Sequence, residues 1–190
     1  MDKVELFGNI AHNLVPRVES LLLEVEDISA ESLQDLVKSI QICIEKISRH
    51  IKKENWSRQE AEDFFKKYRK LAIIAMAGHQ YLIKEQTKVS QLANQMTDLF
   101  KRKNADYGDS FGMSMKKWGF YASIIRIEDK ANRLDSLVCK KNKSEVKDES
   151  IADTFIDLAN YAIMTILYDH LFTEEMKSAE IEEEKEDADE

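Results

Sequence analysis

The sequence predicts an all-α fold, and three observations indicate this class. The chain of 190 residues contains one proline and five glycines, so residues that break helices are rare. Residue types that favour helices, such as Leu, Ile, Lys, Glu, Gln and Ala, are abundant. Apolar residues also recur at helical spacing along most of the chain. The length is sufficient for one domain with a real core, or for one domain with an appendage.

Two helical patterns occupy the first quarter of the chain. The first covers residues 3–25 and contains Pro16, which we expect to interrupt or restart the helix. The second covers about residues 30–53 and follows Ser29, a residue type that often caps the N-terminus of a helix. Both patterns carry an apolar stripe, which predicts that each helix packs against a core.

A third helical pattern is unusually long. Ser57 and Glu60 have the spacing of a capping box, in which each residue bonds to the backbone N–H of the other. The apolar stripe then continues over residues 58–103. A pattern of this length predicts either one long strut or two helices with a break near Gly78 or Thr87.

The character of the sequence changes after this pattern. Residues 104–119 hold three of the five glycines together with several aromatic residues, which predicts a loop. A helix with apolar residues at alternating spacings of four and three follows over residues 120–138. A polar linker over residues 140–147 then leads to the last predicted helix, which we expect to end near Phe172.

The polar face of this last helix carries a ladder of acidic side chains ending in an amide. Glu149, Asp153, Asp157 and Asn160 stand at i, i+4, i+8 and i+11, which places them within a sector of about 80° on a helix. Like charges four residues apart destabilise a helix by about 0.2–0.5 kcal/mol per pair. Since apolar residues continue this face, we expect the ladder to open onto the interior of a bundle or a cleft, where it needs a cation.

The preceding helix has a mostly basic face, with Arg126, Asp129, Lys130 and Arg133 at i, i+3, i+4 and i+7. The short linker predicts that this helix lies antiparallel to the ladder helix. Two interpretations remain open. In one, the basic residues form ion pairs with the ladder across a helix interface. In the other, Asp129 joins the ladder as an oxygen ligand of Mg²⁺, and the three basic residues bind the phosphates of a ligand.

The predicted loop over residues 104–119 also has two interpretations. Tyr107 and Phe111 are candidates for stacking on a nucleotide base, and Lys103 is a candidate for contacting phosphate. The alternative is a corner between helices whose aromatic side chains fill the core.

Three motifs between Lys103 and Tyr161 carry a resemblance to a known family: KNADYGDSF, RIEDKANRLDSL and ESIADTFIDLANYA. The segment resembles the nucleotide modification associated domain family, found largely in phages and prophages. It is similar, more remotely, to the MazG-like all-α nucleoside triphosphate pyrophosphatases. This resemblance implies a helical N-terminal extension over 1–90 and a MazG-like four-helix core over 91–172. The acidic tail over 173–190 is expected to be frayed helix or disordered.

The resemblance also implies a function, Mg²⁺-dependent nucleotide binding with pyrophosphohydrolysis. The candidate metal ligands are Asp129, Asp153, Asp157 and Asn160, and Glu149 or Asp153 is the candidate catalytic base. A homo-oligomer is implied by the resemblance alone. Two other functions remain open: a non-catalytic nucleotide sponge or sensor in phage–host conflict, and a structural interaction module whose ladder forms interhelix ion pairs.

One departure from the MazG-like pattern concerns the basic helix. Lys130 and Arg133 stand where MazG-like proteins would have further carboxylates. Fewer acids and two added cations favour phosphate binding over metal binding.

Charge and apolar content limit the other function classes. Residues 173–190 hold ten acidic residues and two lysines, and the rest of the chain has equal numbers of acidic and basic residues. A neutral body gives no general electrostatic reason to expect binding of duplex nucleic acid. The longest apolar run, Leu71–Ala77, is too short for a membrane span, and Cys43 and Cys139 lack metal-binding spacing. We expect no membrane association and a cytoplasmic protein, in the host cytoplasm if a phage encodes it.

Overall fold

The computed structural model describes residues 2–24, 30–53, 55–83, 88–141 and 150–188. These residues form an all-α bundle, as the sequence predicts, and contain no strand. The helices are Lys3–Glu24 (α1), Ala30–Ile51 (α2), Arg58–Ile83 (α3), Val89–Tyr107 (α4), Ser110–Trp118 (α5), Phe120–Leu134 (α6) and Ile151–Ala188 (α7). A π-helical turn, Asp135–Cys139, extends α6.

Helix α1 differs from the sequence prediction at Pro16, and Ser29, the cap predicted for α2, lies outside the described residues. Helix α1 runs through Pro16 without ending, contrary to the expected interruption. Pro16 is exposed, whereas Phe7, Leu14 and Val18 on the other face of α1 are buried, so packing holds the helix together across one lost hydrogen bond.

The capping box at the start of α3 is confirmed. The Ser57 N–H donates to Glu60 Oε2 at 2.9 Å, and the Glu60 N–H donates to Ser57 Oγ at 3.3 Å. The long pattern that follows forms two helices, because α3 ends at Ile83 and α4 begins at Val89. Gly78, one of the two predicted break positions, lies inside α3, and Thr87, the other, lies outside the described residues.

The glycine-rich segment is mostly helical, so the prediction of a loop over 104–119 is wrong. Helix α4 continues to Tyr107, and only Gly108 and Asp109 form a turn before α5 begins. Gly108 has a φ of 57°, a left-handed conformation that glycine adopts easily and that commonly ends helices. Gly112 lies inside α5, where the ring of Tyr168 leaves no space for a Cβ atom.

Helices α3 and α7 form an antiparallel pair at the centre of the bundle. A Cβ atom on Gly78 would overlap the ring of Phe155, so the two helices approach closely near the end of α3 and the start of α7. At the opposite end of the pair, the Ser123 hydroxyl of α6 contacts both the Tyr68 hydroxyl and the Thr165 hydroxyl. The first half of α3 therefore lies beside the middle of α7, and the end of α3 lies beside the start of α7.

The remaining helices pack around this pair and share one core. Phe7 of α1 stacks on Phe100 of α4 with ring centroids 4.4 Å apart. Trp56, just before α3, stacks on Phe120 of α6 at 5.7 Å. The buried apolar side chains of α1–α3 and those of α4–α7 form one contiguous cluster, so the predicted N-terminal extension and C-terminal core share it.

Helix α7 extends beyond the position where the sequence predicts its end. It continues past Phe172 to Ala188, through most of the acidic tail. Glu, Lys, Ala and Met favour helices, and Lys177 pairs with Glu174 at 2.9 Å, which supports this extension locally. None of the described helices combines the length and the apolar character needed to span a bilayer.

Candidate functional site

A cleft of about 310 Å³ lies between α4, α5, α6 and α7. This volume is close to the lower end of the range of about 300–1,000 Å³ that is usual for small-molecule sites. Helix α4 and the turn after it contribute Phe100, Lys103, Asn104, Tyr107 and Asp109. Helix α7 contributes Asp157, Asn160, Tyr161, Met164 and Tyr168. Ser110 and Phe111 of α5 and Lys130 of α6 complete the wall.

One face of α7 forms the floor of this cleft. Asp157, Asn160, Met164 and Tyr168 repeat at spacings of three and four residues, so they lie in one row along three helical turns, about 16 Å. The opposite face of α7 is buried in the core, which fixes the direction of this row.

A half-buried ion-pair cluster marks one end of the row. Asp157 accepts from Lys103 Nζ at 3.0 Å and from Lys130 Nζ at 2.9 Å, one lysine on each carboxylate oxygen. Burial acts to raise the pKa of Asp157, but the bonds from Lys130 and Lys103 outweigh it and hold the pKa below its ordinary value. The carboxylate therefore stays ionised, and two cations face the cleft.

Asn160 lies one turn further along the row and has an unsatisfied polar atom. The side chain is only 6% exposed, and its Oδ1 accepts no hydrogen bond in the described residues. Leaving a buried polar atom without a partner costs about 1–3 kcal/mol. Asn160 also lines the cleft, although its Oδ1 is enclosed by protein atoms.

Aromatic rings form the wall beyond Asn160. Phe111 packs between Tyr161 and Tyr168, with ring centroids 5.6 Å and 5.7 Å away. Tyr107 lines the cleft from α4 and is 69% exposed. The two residues proposed from the sequence for base stacking, Tyr107 and Phe111, thus both border the cleft.

A second polar cluster closes the far end of the row. The Tyr168 hydroxyl donates to one oxygen of Asp109, and Lys3 of α1 forms an ion pair with the other oxygen. The Lys3 ammonium also lies 5.0 Å from the centre of the Tyr168 ring, within the range of a cation–π contact. Burial raises the pKa of Tyr168 and the Asp109 carboxylate adds to this, so the phenol remains a donor.

The other basic and acidic candidates on α6 lie away from the cleft. Arg126 and Asp129 are exposed and are not part of the cleft wall. Arg133 is half-buried, and its Nε donates to the Thr154 hydroxyl of α7 at 3.1 Å, also outside the cleft wall.

The acidic candidates at the start of α7 have a different setting. Asp153 is exposed and forms a capping box with Ser150, in which the Ser150 N–H donates to Asp153 Oδ2 and the Asp153 N–H donates to Ser150 Oγ, both at 3.0 Å. Glu149 lies outside the described residues. Within the residues that the structure describes, no three acidic, histidine or cysteine side chains lie close enough together to hold a metal ion. The Mg²⁺ ligand set therefore stays a prediction.

Sequence reasoning missed the cluster of Lys3, Asp109 and Tyr168. Asp109 belongs to a motif that the sequence shows, DYGDSF, but no spacing relates it to Lys3, which lies 106 residues away. The packing of α1 against both α4 and α7 brings these groups together.

The fold and the cleft define a class: an all-α bundle whose cleft has two lysines at one end and aromatic rings along its wall. Residues 103–168 match the family described as nucleotide modification associated domain 1. This segment covers about a third of the chain and contains the whole cleft wall except Phe100. Comparisons with curated proteins and with solved structures gave no match. The MazG-like relationship, the phage origin and the homo-oligomer stay predictions.

Proposed function

We propose that the cleft binds a nucleotide and that nucleotide binding is the function of this chain. One observation carries the proposal: Lys103 and Lys130 converge on Asp157 inside a cleft that is walled by aromatic side chains. Ammonium groups bind phosphate as point charges, and aromatic side chains stack on bases. The family description of the matched segment, nucleotide modification associated domain 1, supports the same ligand class.

Phosphate binding at this end of the cleft involves an exchange of partners. Asp157 is the anion that the two lysines bind when no ligand is present. A phosphate group brings several oxygens and more charge than a carboxylate, so it competes for both ammonium groups. Asp157 thus serves as a counterion that keeps the lysines in place before the ligand arrives.

The nucleoside then extends along the row on α7. Tyr107 and Phe111 offer ring faces to the base, and each base–aromatic stack contributes about 1–3 kcal/mol. Asn160 lines the cleft as well, and a turn of its side chain would bring its Oδ1, which has no partner in the described residues, to a donor of the sugar or the base. These three groups lie in the same cleft wall as the two lysines.

We propose further that Mg²⁺ enters with the phosphates. Magnesium usually keeps several waters and binds one or two carboxylates together with substrate phosphates. Asp157 is a carboxylate in the cleft wall, and it fits an ion carried by the nucleotide once the phosphates have replaced it as the partner of Lys103 and Lys130. When bound, Mg²⁺ would polarise the phosphates.

Pyrophosphohydrolysis is an additional proposal that needs a base to activate water. Glu149 and Asp153 are the candidates from the sequence. The alternative is a non-catalytic nucleotide sponge or sensor, and one observation favours it: Asp157 is the one carboxylate of the ladder that borders the cleft in the described residues, and lysines occupy both of its oxygens.

Calorimetric titration of the full chain with nucleoside triphosphates, with Mg²⁺ or with EDTA, tests the binding proposal. We expect Lys103→Met and Lys130→Met each to weaken binding by about tenfold or more, because each removes a charge-assisted contact. Lys101→Met, an exposed lysine on α4 outside the cleft wall, is the matched control and should change the affinity less than twofold. Equal effects of all three variants, or no nucleotide bound at millimolar concentration, would reject the proposal.

A coupled assay of pyrophosphate release separates the two forms of the function. Turnover that requires Mg²⁺ and disappears in Glu149→Gln or Asp153→Asn would support hydrolysis. Tight binding without release would support the sponge or sensor. If the Glu149 and Asp153 variants are less stable, and neither they nor the unaltered chain respond to any nucleotide, the chain is a structural module instead.

A further inference from the structure

We infer that Asp109 determines ligand specificity at the nucleoside end of the cleft, and that Lys3 of α1 positions it. This inference rests on the proposed nucleotide function and assigns a direction to the ligand. The phosphates lie at Lys103 and Lys130, and a hydrogen-bond donor of the sugar or base meets the Asp109 carboxylate three helical turns away.

The surroundings of the Asp109 side chain support a role beyond capping the N-terminus of α5. Asp109 stands at the N-terminus of α5, where an aspartate commonly caps the first turn, but its side chain makes no capping bond. Its carboxylate turns instead to Lys3 and Tyr168, and it borders the cleft. The backbone of Asp109 has a φ of 59°, an uncommon conformation for a residue with a side chain.

The carboxylate of Asp109 can also accept further hydrogen bonds from a ligand. An ionised carboxylate offers about four acceptor positions, and the bonds from Tyr168 and Lys3 use two of them. The side chain is 33% exposed, so a ligand in the cleft can reach it. Because a carboxylate only accepts hydrogen bonds, it favours ligands with hydroxyl or amino groups and repels phosphate.

This repulsion orients the ligand. At one end of the cleft, Asp157 is outweighed by two lysines, both of which border the cleft. At the other end, Lys3 binds Asp109 from α1 and is not part of the cleft wall. A nucleotide therefore places its phosphates beside Lys103 and Lys130 and its neutral part beside Asp109.

Lys3 lies outside the segment that matches the family, which covers residues 103–168. The ion pair with Lys3 and the bond from Tyr168 hold the Asp109 carboxylate from two sides. Helix α1 thus completes the specificity end of the cleft, and Lys3 acts as a positioning residue through Asp109.

The test compares two kinds of probe, the standard ribo- and deoxyribonucleoside triphosphates and inorganic tripolyphosphate, by titration of the full chain. Asp109→Asn should weaken binding of the preferred nucleotide by about 10- to 100-fold, as expected for loss of a hydrogen bond to a charged group, and leave tripolyphosphate binding unchanged. Asp106→Asn, an exposed aspartate just before the turn and outside the cleft wall, should change neither.

Lys3→Gln is the second variant, and Arg17→Gln, exposed on the same helix, is its control. We expect Lys3→Gln to lower the ratio of nucleotide affinity to tripolyphosphate affinity, which a purely structural role would leave unchanged. An unchanged ratio in both Asp109→Asn and Lys3→Gln would overturn this inference and leave nucleotide binding intact. Failure of the unaltered chain to bind any nucleotide would instead reject the proposed function itself.

Discussion

Lys130 and Asp157 join α6 to α7 through an ion pair of 2.9 Å in which both side chains are less than a quarter exposed. Lys103 contacts the other oxygen of the same carboxylate at 3.0 Å. Removing one partner from a buried ion pair is more destabilising than replacing both, because it leaves an uncompensated charge. The cluster is therefore both a link between helices and the charged end of the cleft, and substitutions in it affect stability and binding together.

Asp157→Asn has opposite expected effects on ligand affinity for two possible roles of Asp157, a counterion of the lysines or a ligand of Mg²⁺. If Asp157 is only a counterion, the variant removes the negative charge that competes with phosphate for Lys103 and Lys130, and binding of tripolyphosphate in EDTA tightens by about tenfold, on the scale of one charge-assisted bond. If Asp157 also binds Mg²⁺, nucleotide binding weakens when Mg²⁺ is present. Titrations in EDTA and in Mg²⁺ measure both effects, and an unchanged affinity in both buffers would contradict a role for Asp157 in the site.

Gly78→Ala should destabilise the fold by about 1–3 kcal/mol, the usual cost of overpacking a core. The added methyl group would overlap the ring of Phe155, where α3 and α7 are closest. Denaturant unfolding measures the loss. Gly8→Ala is a milder control, since its nearest neighbour is Thr97 Cγ2 at 3.3 Å. The explanation fails if Phe155→Leu does not recover part of the stability in the Gly78→Ala background.

Asp153→Ala should lower stability by about 1 kcal/mol, because it removes half of the capping box at the start of α7. Thermal unfolding of the ligand-free chain measures this loss. The same variant should leave nucleotide affinity unchanged, because Asp153 is outside the cleft wall. A loss of affinity beyond twofold would instead support the metal-binding role that the sequence suggested for Asp153.

The raised pKa of Asp169 leads us to expect that stability depends on pH. Burial raises its pKa to about 6, and His170 acts in the opposite direction. The unfolded chain titrates this group near about pH 3.9, so between about pH 4 and pH 6 the folded state binds more protons than the unfolded state. The contribution of this group to stability is therefore complete below about pH 4 and is lost as the pH rises through about 6.

Asp169→Asn removes this titration and should raise the free energy of unfolding at pH 7 by about 1–3 kcal/mol. The gain should shrink as the pH falls toward 4, and denaturant unfolding across this range measures it. Asp98→Asn, an exposed aspartate on α4, should change stability by less than about 0.5 kcal/mol at every pH. A gain that does not vary with pH would exclude the titration of Asp169 as its cause.

Local sequence was sufficient for the helices wherever one turn or one cap decides the structure. The capping box of Ser57 and Glu60 is an example, because it depends on neighbours within a few residues. It was insufficient at Pro16 and in the segment 104–119, where tertiary packing decides. The segment remains helical because α5 packs against α7, and Gly112 lies in contact with the ring of Tyr168.

The same distinction applies to the cleft. Asp157 and Asn160 could be placed on one polar face by helical spacing, and the structure puts both in the cleft wall. Spacing alone could not separate Lys130 from Asp129, its neighbour on α6, because which of them faces α7 depends on the rotation of α6 in the bundle. The contact of Lys3 with Asp109 depends wholly on tertiary packing.

The close packing of α7 against α3 has a consequence for how this chain would respond to ligands. Helix α7 cannot slide along its axis without driving Phe155 into the backbone of α3 at Gly78. The same helix carries Asp157 and Tyr168, so the interval between the two ends of the cleft is set before any molecule enters. We expect this fixed distance to make binding selective for ligand length. Ligands whose charged and uncharged ends match the distance should bind, and shorter or longer ones should bind weakly.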